Sequence, residues 1–158
     1  MRPLFLLGAL AFLATGIGCG GGDDTVPAEV LSGLERGAFV DRADRICVEG
    51  RKRLIVTGNR YFGGNRKPSD AAVTIYAKRE AIPILTRQYG RLRELRPPAG
   101  DAREIDRILD LADRGIGQLR SDPTLLNRGS GVPPALERAR RQAFLYGLGA
   151  CGQPVETR

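Results

Sequence analysis

The chain has 158 residues and a formal charge of +7, with no histidine, no tryptophan and a single methionine, Met1. That length supports one domain around a single core. The composition removes a histidine general base, a histidine metal ligand and any histidine or methionine haem ligand. No cofactor, no metal site and no catalytic activity are therefore expected.

The N-terminus reads as an address. Met1-Arg2-Pro3 gives a short positive start, and Leu4 to Ala14 is a continuous apolar run. The run is too short to cross a bilayer as a helix, which takes ~20 residues. It fits the apolar region of a secretory signal peptide. Gly16-Ile17-Gly18-Cys19 follows. This resembles a bacterial lipobox, with Gly16 where that family has a larger aliphatic residue. The resemblance implies cleavage after residue 18 and a diacylglyceryl group on the Cys19 thiol. Gly16, Gly18 and Gly21 also spell a dinucleotide-binding pattern, but no strand precedes it and no helix pattern follows, so it is discarded. Residues 19–34 are rich in glycine and acid at their start and read as a flexible tether.

Residues 35–153 read as an all-α, four-helix bundle-like domain, and residues 154–158 as a tail. The first helix is expected from about Arg36 to Val56. Phe39, Ala43, Ile46, Cys47, Gly50 and Leu54 share one face, and Gly58 and Gly63-Gly64 close it. Asn59 to Pro68 is expected as a basic loop holding Tyr61 and Phe62. The second helix starts at Ser69 as N-cap and runs to Arg96, before Pro97-Pro98. Pro83 inside it predicts a kink or break. Ile82, Leu85, Tyr89 and Leu92 form a stripe after the proline; Ala72, Ile75 and Tyr76 form a differently phased one before it.

The third helix opens at Asp101 with Glu104 three residues on, the pattern of a capping box. Its stripe is Ile105, Ile108, Leu109, Ala112, Ile116 and Leu119, and Ser121-Asp122-Pro123 ends it. After a loop over residues 124–132, Pro133-Pro134 opens the fourth helix, with Leu136, Ala139, Ala143 and Tyr146 facing inward. Its end, Ala143 to Gly149, is apolar nearly all round. Either it is a deeply buried last turn, or Phe144 and Leu148 make a partner-facing patch. No run alternates with the period of a strand, so a helical bundle is the economical fold.

With Cys19 assigned to lipid, Cys47 and Cys151 remain. An even pair in an exported protein points to a disulfide, tying the middle of the first helix to the segment after the fourth. The motifs around these cysteines resemble those of a group of uncharacterised small lipoproteins of high-GC Gram-positive bacteria. The shared features are Phe39, Ala43-Asp44, Ile46-Cys47, then Leu92, Leu95, Pro97-Pro98, and a late Tyr146-Gly147-Leu148 with Cys151-Gly152. The resemblance implies lipoprotein status and paired cysteines, and no activity.

The basic residues are mostly arginine, and they alternate with acids. Asp41–Arg45, Arg45–Glu49, Glu49–Arg53, Asp110–Arg114 and Glu137–Arg141 are spaced to pair along helices. They read as a solvated, self-paired surface. A contact between the arginines around Arg87, Arg91, Arg93 and Arg96 and an anionic lipid or wall polymer is the other reading. No nucleic-acid partner is expected of an exported chain. Asp106, Asp110 and Asp113 share a helix side but lie among arginines, and read as solvated. The serines lie in loops or at caps, with no histidine to activate them.

The leading expectation is thus a non-catalytic interaction module, anchored to the outer face of the membrane through Cys19 and meeting an envelope protein or polymer. The second is a small-ligand binder with a pocket at the Pro83 kink or beside Tyr76 and Tyr89.

Overall fold

Phe39, Ala43, Ile46, Cys47, Gly50 and Leu54 are all buried along one side of α1 (Ala28–Phe62). The computed structural model describes residues 28–63 and 67–153, with side chains from residue 35 onward. The expected signal peptide, Cys19, the start of the expected tether and the expected tail lie outside the described residues. α1 is longer than its apolar stripe suggests, at 35 residues. Its helical backbone begins at Ala28, so the end of the expected tether is helix and not linker. Gly58 is buried inside the helix and does not end it. The stop comes at Gly63, whose φ of 54° is left-handed and whose N–H returns to the Asn59 carbonyl at 2.8 Å. Tyr61 and Phe62 therefore sit on the helix and not in the expected loop.

The second expected helix divides into α2 (Asp70–Tyr76), a π segment (Ala77–Ala81) and α3 (Ile82–Arg93). Ser69 caps α2, accepting from the Ala72 N–H at 3.3 Å. Pro83 has no N–H to donate and its ring crowds the carbonyl one turn back. The break is absorbed as a widened turn, in which the Ile82 N–H donates to the Ala77 carbonyl. The extra residue resets the phase of the buried face. Val73, Tyr76 and Ala77 are buried before it, and Ala81, Leu85, Tyr89 and Leu92 after it. Ile75, expected inside, is 48% exposed, because Val73 takes the inward position.

α4 (Ala102–Ser121) buries every residue of its predicted stripe, with Leu111 and Gly115 added. Asp101 stands at its start, but the carboxylate makes no capping hydrogen bond; it is committed elsewhere, and the expected capping box does not form. A 3₁₀ turn (Pro123–Asn127) occupies part of the expected loop, held by Asp122, which accepts from the Thr124 N–H at 3.1 Å. α5 (Pro134–Tyr146) crosses α4 so closely that a methyl group on Gly115 would stand 2.6 Å from the Leu136 backbone nitrogen.

α5 ends in a Schellman reversal. Gly147, at φ 110°, returns its N–H to Phe144, and the Leu148 N–H reaches the Ala143 carbonyl at 2.8 Å. The short α6 (Gly149–Gly152) follows. Asp44 on α1 accepts from the Ala150 N–H at 2.9 Å. Beside it Cys47 and Cys151 form the disulfide, with Cα atoms 5.0 Å apart and 104 residues between them in sequence.

The fold is all-α. Among the described residues there is no strand, and no helix is long and apolar enough to cross a membrane. The charge pairing differs from the sequence pattern. None of the expected i,i+4 pairs closes among the described residues. Glu49 pairs with Arg91 on α3 at 2.5 Å, Arg93 with Asp113 on α4 at 2.5 Å, and Glu137 with Arg140 at 3.2 Å. For Glu49 and Arg93 antiparallel packing brings the opposite charge of a neighbouring helix nearer than the next turn of the same one, whereas Glu137 pairs within α5 at i,i+3.

Candidate ligand-binding cavity

A cavity of about 320 Å³ opens between the second half of α1, the π segment with α3, the start of α5 and the loop before it. The π segment contributes Ala81 to its wall, and the loop before α5 contributes Ser130, Gly131, Val132 and Pro133. Asn127 pins the start of that loop, donating to the Pro68 carbonyl at 3.1 Å and to Asp70 Oδ1 at 3.0 Å.

The lower wall is apolar, with Leu54, Val73, Leu85 and Leu136. Tyr76 and Tyr89, both expected beside a pocket, line it. Their hydroxyls differ. Tyr76 donates to the Leu54 carbonyl at 3.1 Å, and its ring packs against Phe62 with centroids 5.0 Å apart. Tyr89 makes no hydrogen bond among the described residues. Burial pushes its hydroxyl up to about 12, opposed weakly by the nearby Arg140 charge, so it is a protonated donor at neutral pH.

The disulfide forms part of the wall, and Gln88 donates to Cys47 Sγ at 3.4 Å. Arg51 and Arg140 are the charged side chains that line the cavity, and no carboxylate does. Arg51 donates to the Ala150 carbonyl at 3.5 Å and to Gln153 Oε1. Arg140 is only 12% exposed, and its Nη1 meets Glu137 Oε2 at 3.2 Å. Its Nε is buried and has no acceptor. A buried donor left unpaired costs about 1–3 kcal/mol.

Neither Arg51 nor Arg140 was among the expected site residues. Arg140 carried a signal: it stands one turn from Leu136 and from Ala143, on the inward face of α5, where a charge is out of place. Arg51 carried none, since it lies among Lys52 and Arg53 in a run that reads as solvated.

The other predicted residues lie apart from the cavity. Phe144 is 61% exposed, and its neighbour on the patch is Leu145 at 77%, not the expected Leu148. Leu148 is 4% exposed, because the Schellman reversal folds it back over the end of α5. The aspartate stripe is spent partly on Arg93, which lies 4.0 Å from Asp110 as well as near Asp113. Among the described residues no group of three or more histidine, cysteine or acidic side chains is placed to hold a metal. Arg53, Arg87 and Arg91 meet along the α1–α3 seam, with Glu49 between them. Cys19 falls outside the described residues. Comparison with protein-family models, curated proteins and solved structures finds no match to this chain.

Proposed function

We propose that this protein is a non-catalytic, lipid-anchored binding domain at the outer face of the cell membrane, and that its ligand is a small molecule held in the cavity. The cavity carries this reading. Its volume lies at the lower end of small-molecule sites, which are mostly apolar with a few convergent polar groups, and Tyr89 and Arg140 are such groups. The lipobox-like Gly16 to Cys19 supports the anchor; two acyl chains suffice for stable attachment. The lack of histidine supports the non-catalytic part.

Native mass spectrometry of the protein extracted from its own membrane without reductant tests the whole reading at once. The expected mass begins at a diacylglyceryl Cys19, lacks the two hydrogens of Cys47 and Cys151, and carries a small non-covalent ligand. An unlipidated chain would remove the anchor. A lipidated chain that stays ligand-free, and takes up none of a panel of small apolar compounds, would remove the cavity function.

A second reading is favoured by one observation, the adjacent exposure of Phe144 and Leu145 at the end of α5. In it the domain meets an envelope protein through that helix end. Crosslinking from this patch in intact cells distinguishes it from the first.

A further inference from the structure

We infer that the cavity ligand is an amphiphile with a single carboxylate, its apolar part against Leu54, Leu85 and Leu136 and its carboxylate between Arg140 and the Tyr89 hydroxyl. This rests on the cavity reading above and narrows it to a chemical class.

Three observations carry the inference. The first is charge. The cavity is lined by Arg51 and Arg140 and by no acidic residue, and Glu137 meets Arg140 through Nη1 alone, so an anion is favoured there over a cation. The second is the edge that Arg140 offers. Glu137 takes Nη1, while Nε and Nη2 have no acceptor among the described residues. Nε and Nη2 form one side of the planar guanidinium, where two parallel N–H groups match the two oxygens of a carboxylate. The third is Tyr89. Its hydroxyl makes no hydrogen bond among the described residues, and Tyr89 and Arg140 both line the cavity. A carboxylate has enough lone pairs to accept from both groups together. Leu54, Val73, Leu85 and Leu136 on the same wall fit a hydrocarbon chain or ring.

The test is calorimetric titration of the full chain, carrying Cys19→Ala so that no lipid competes and oxidised at Cys47 and Cys151. The probes are octanoate, 1-octanol and octylammonium, which share a chain and differ in head group. Octanoate is expected to bind about 10- to 100-fold more tightly than 1-octanol, the range for a hydrogen bond to a charged group, and octylammonium least of all. Arg140→Gln should erase the advantage of octanoate and leave 1-octanol unchanged. Arg140→Lys keeps the charge and loses the fork, so it should retain only part of that advantage; it also serves if the glutamine variant does not fold. If 1-octanol binds as tightly as octanoate and neither variant alters the ratio, the carboxylate assignment is wrong and the cavity reading stands. Octylammonium binding as well as octanoate also overturns the assignment. If none of the probes binds to the folded protein, both readings fall together.

Discussion

Tyr146 donates its hydroxyl hydrogen to Asp101 Oδ2 at 2.6 Å, joining the last turn of α5 to the first turn of α4. Arg36 on α1 completes the junction, with Nε 2.9 Å from the same oxygen and Nη2 2.8 Å from Oδ1. The Arg36 guanidinium also lies over the Tyr146 ring, 5.2 Å from its centre, and Phe39 meets that ring edge-on. Three helices converge on one carboxylate. This is why Asp101 cannot also cap α4: its oxygens point across the bundle and not along the helix.

The junction predicts a pH dependence. The Arg36 hydrogen bond, and then that of Tyr146, hold the Asp101 carboxyl below the ordinary aspartate value. A depressed value in the folded state means that the ionised form stabilises the fold. The contribution is present above the ordinary aspartate value and is lost as the pH falls through the lower, folded value. Asp101→Asn should therefore lower the urea midpoint at neutral pH and flatten its decline on acidification. Tyr146→Phe should cost about 1.5–3 kcal/mol, the range for a hydrogen bond to a charged group. Urea melts of the three proteins at a series of pH values check both; parallel acid limbs for wild type and Asp101→Asn would refute the linkage.

The disulfide predicts a larger effect. It closes a loop with a sequence separation of 104 residues, for which the chain-entropy model gives about 4.7 kcal/mol. Marginal domains have about 5–15 kcal/mol in total. Replacing both Cys47 and Cys151 by alanine should thus remove about a third of the stability or more, seen as a denaturant midpoint below that of the oxidised wild type. Wild type should lose a similar amount on adding reductant, and the double variant nothing.

The motifs around these cysteines were legible, and the structure gives them physical meaning. Asp44 caps α6, Gly147 supplies the left-handed turn, Leu148 covers the helix end and Gly152 packs against Phe144 with no room for a methyl group. The apolar stripes of α1, α4 and α5 were legible too, because each helix shows the core a single continuous face. The face of α2 was not: the change of phase at the proline was expected, but α2 is only seven residues long, too short for its stripe to separate Val73, which is buried, from Ile75, which is exposed. Tyr76 and Tyr89 were readable as pocket residues, since they flank Pro83, where the helix pattern is interrupted. The loop that roofs the cavity, and Arg51 beneath it, depend on contacts between segments distant in sequence, which no local pattern encodes.

Gly115 predicts an overpacking effect. A β-carbon there would crowd Cα, Cβ and the backbone nitrogen of Leu136, and backbone cannot swing aside as a side-chain tip does. The helix itself would favour alanine by about 1 kcal/mol. Overpacking of a close contact costs about 1–3 kcal/mol, so the balance for Gly115→Ala is destabilising. A thermal melt showing a raised midpoint would mean that α5 moves away from α4 more easily than this packing implies.

The end of α5 predicts opposite outcomes for residues that look alike in sequence. Leu148→Ala opens a cavity beneath the reversal and should cost about 2–5 kcal/mol. Phe144→Ser and Leu145→Ser alter exposed side chains and should each stay within about 0.5 kcal/mol. If the serine variants fold normally but lose a crosslinked partner in cells, the helix end is an interaction surface. If they lose stability as Leu148→Ala does, the patch is covered within the protein itself.

Val132 predicts how the cavity can be closed without disturbing the core. It lies on the roofing loop, partly buried and against the cavity, just before Pro133. Val132→Trp puts an indole where the void already provides space, so the melting temperature should change little. The indole should take the volume that a hydrocarbon chain would otherwise fill. Octanoate affinity is expected to fall about tenfold or more, which corresponds to about 1.4 kcal/mol. Because the chain contains no other tryptophan, the variant reports on itself. A ring lodged in the apolar cavity emits at short wavelength and is shielded from a dissolved quencher. Emission at long wavelength with free quenching would place the ring in solvent; octanoate should then bind as it does to wild type. Short-wavelength emission together with undiminished octanoate binding would show that the acid binds elsewhere on the protein.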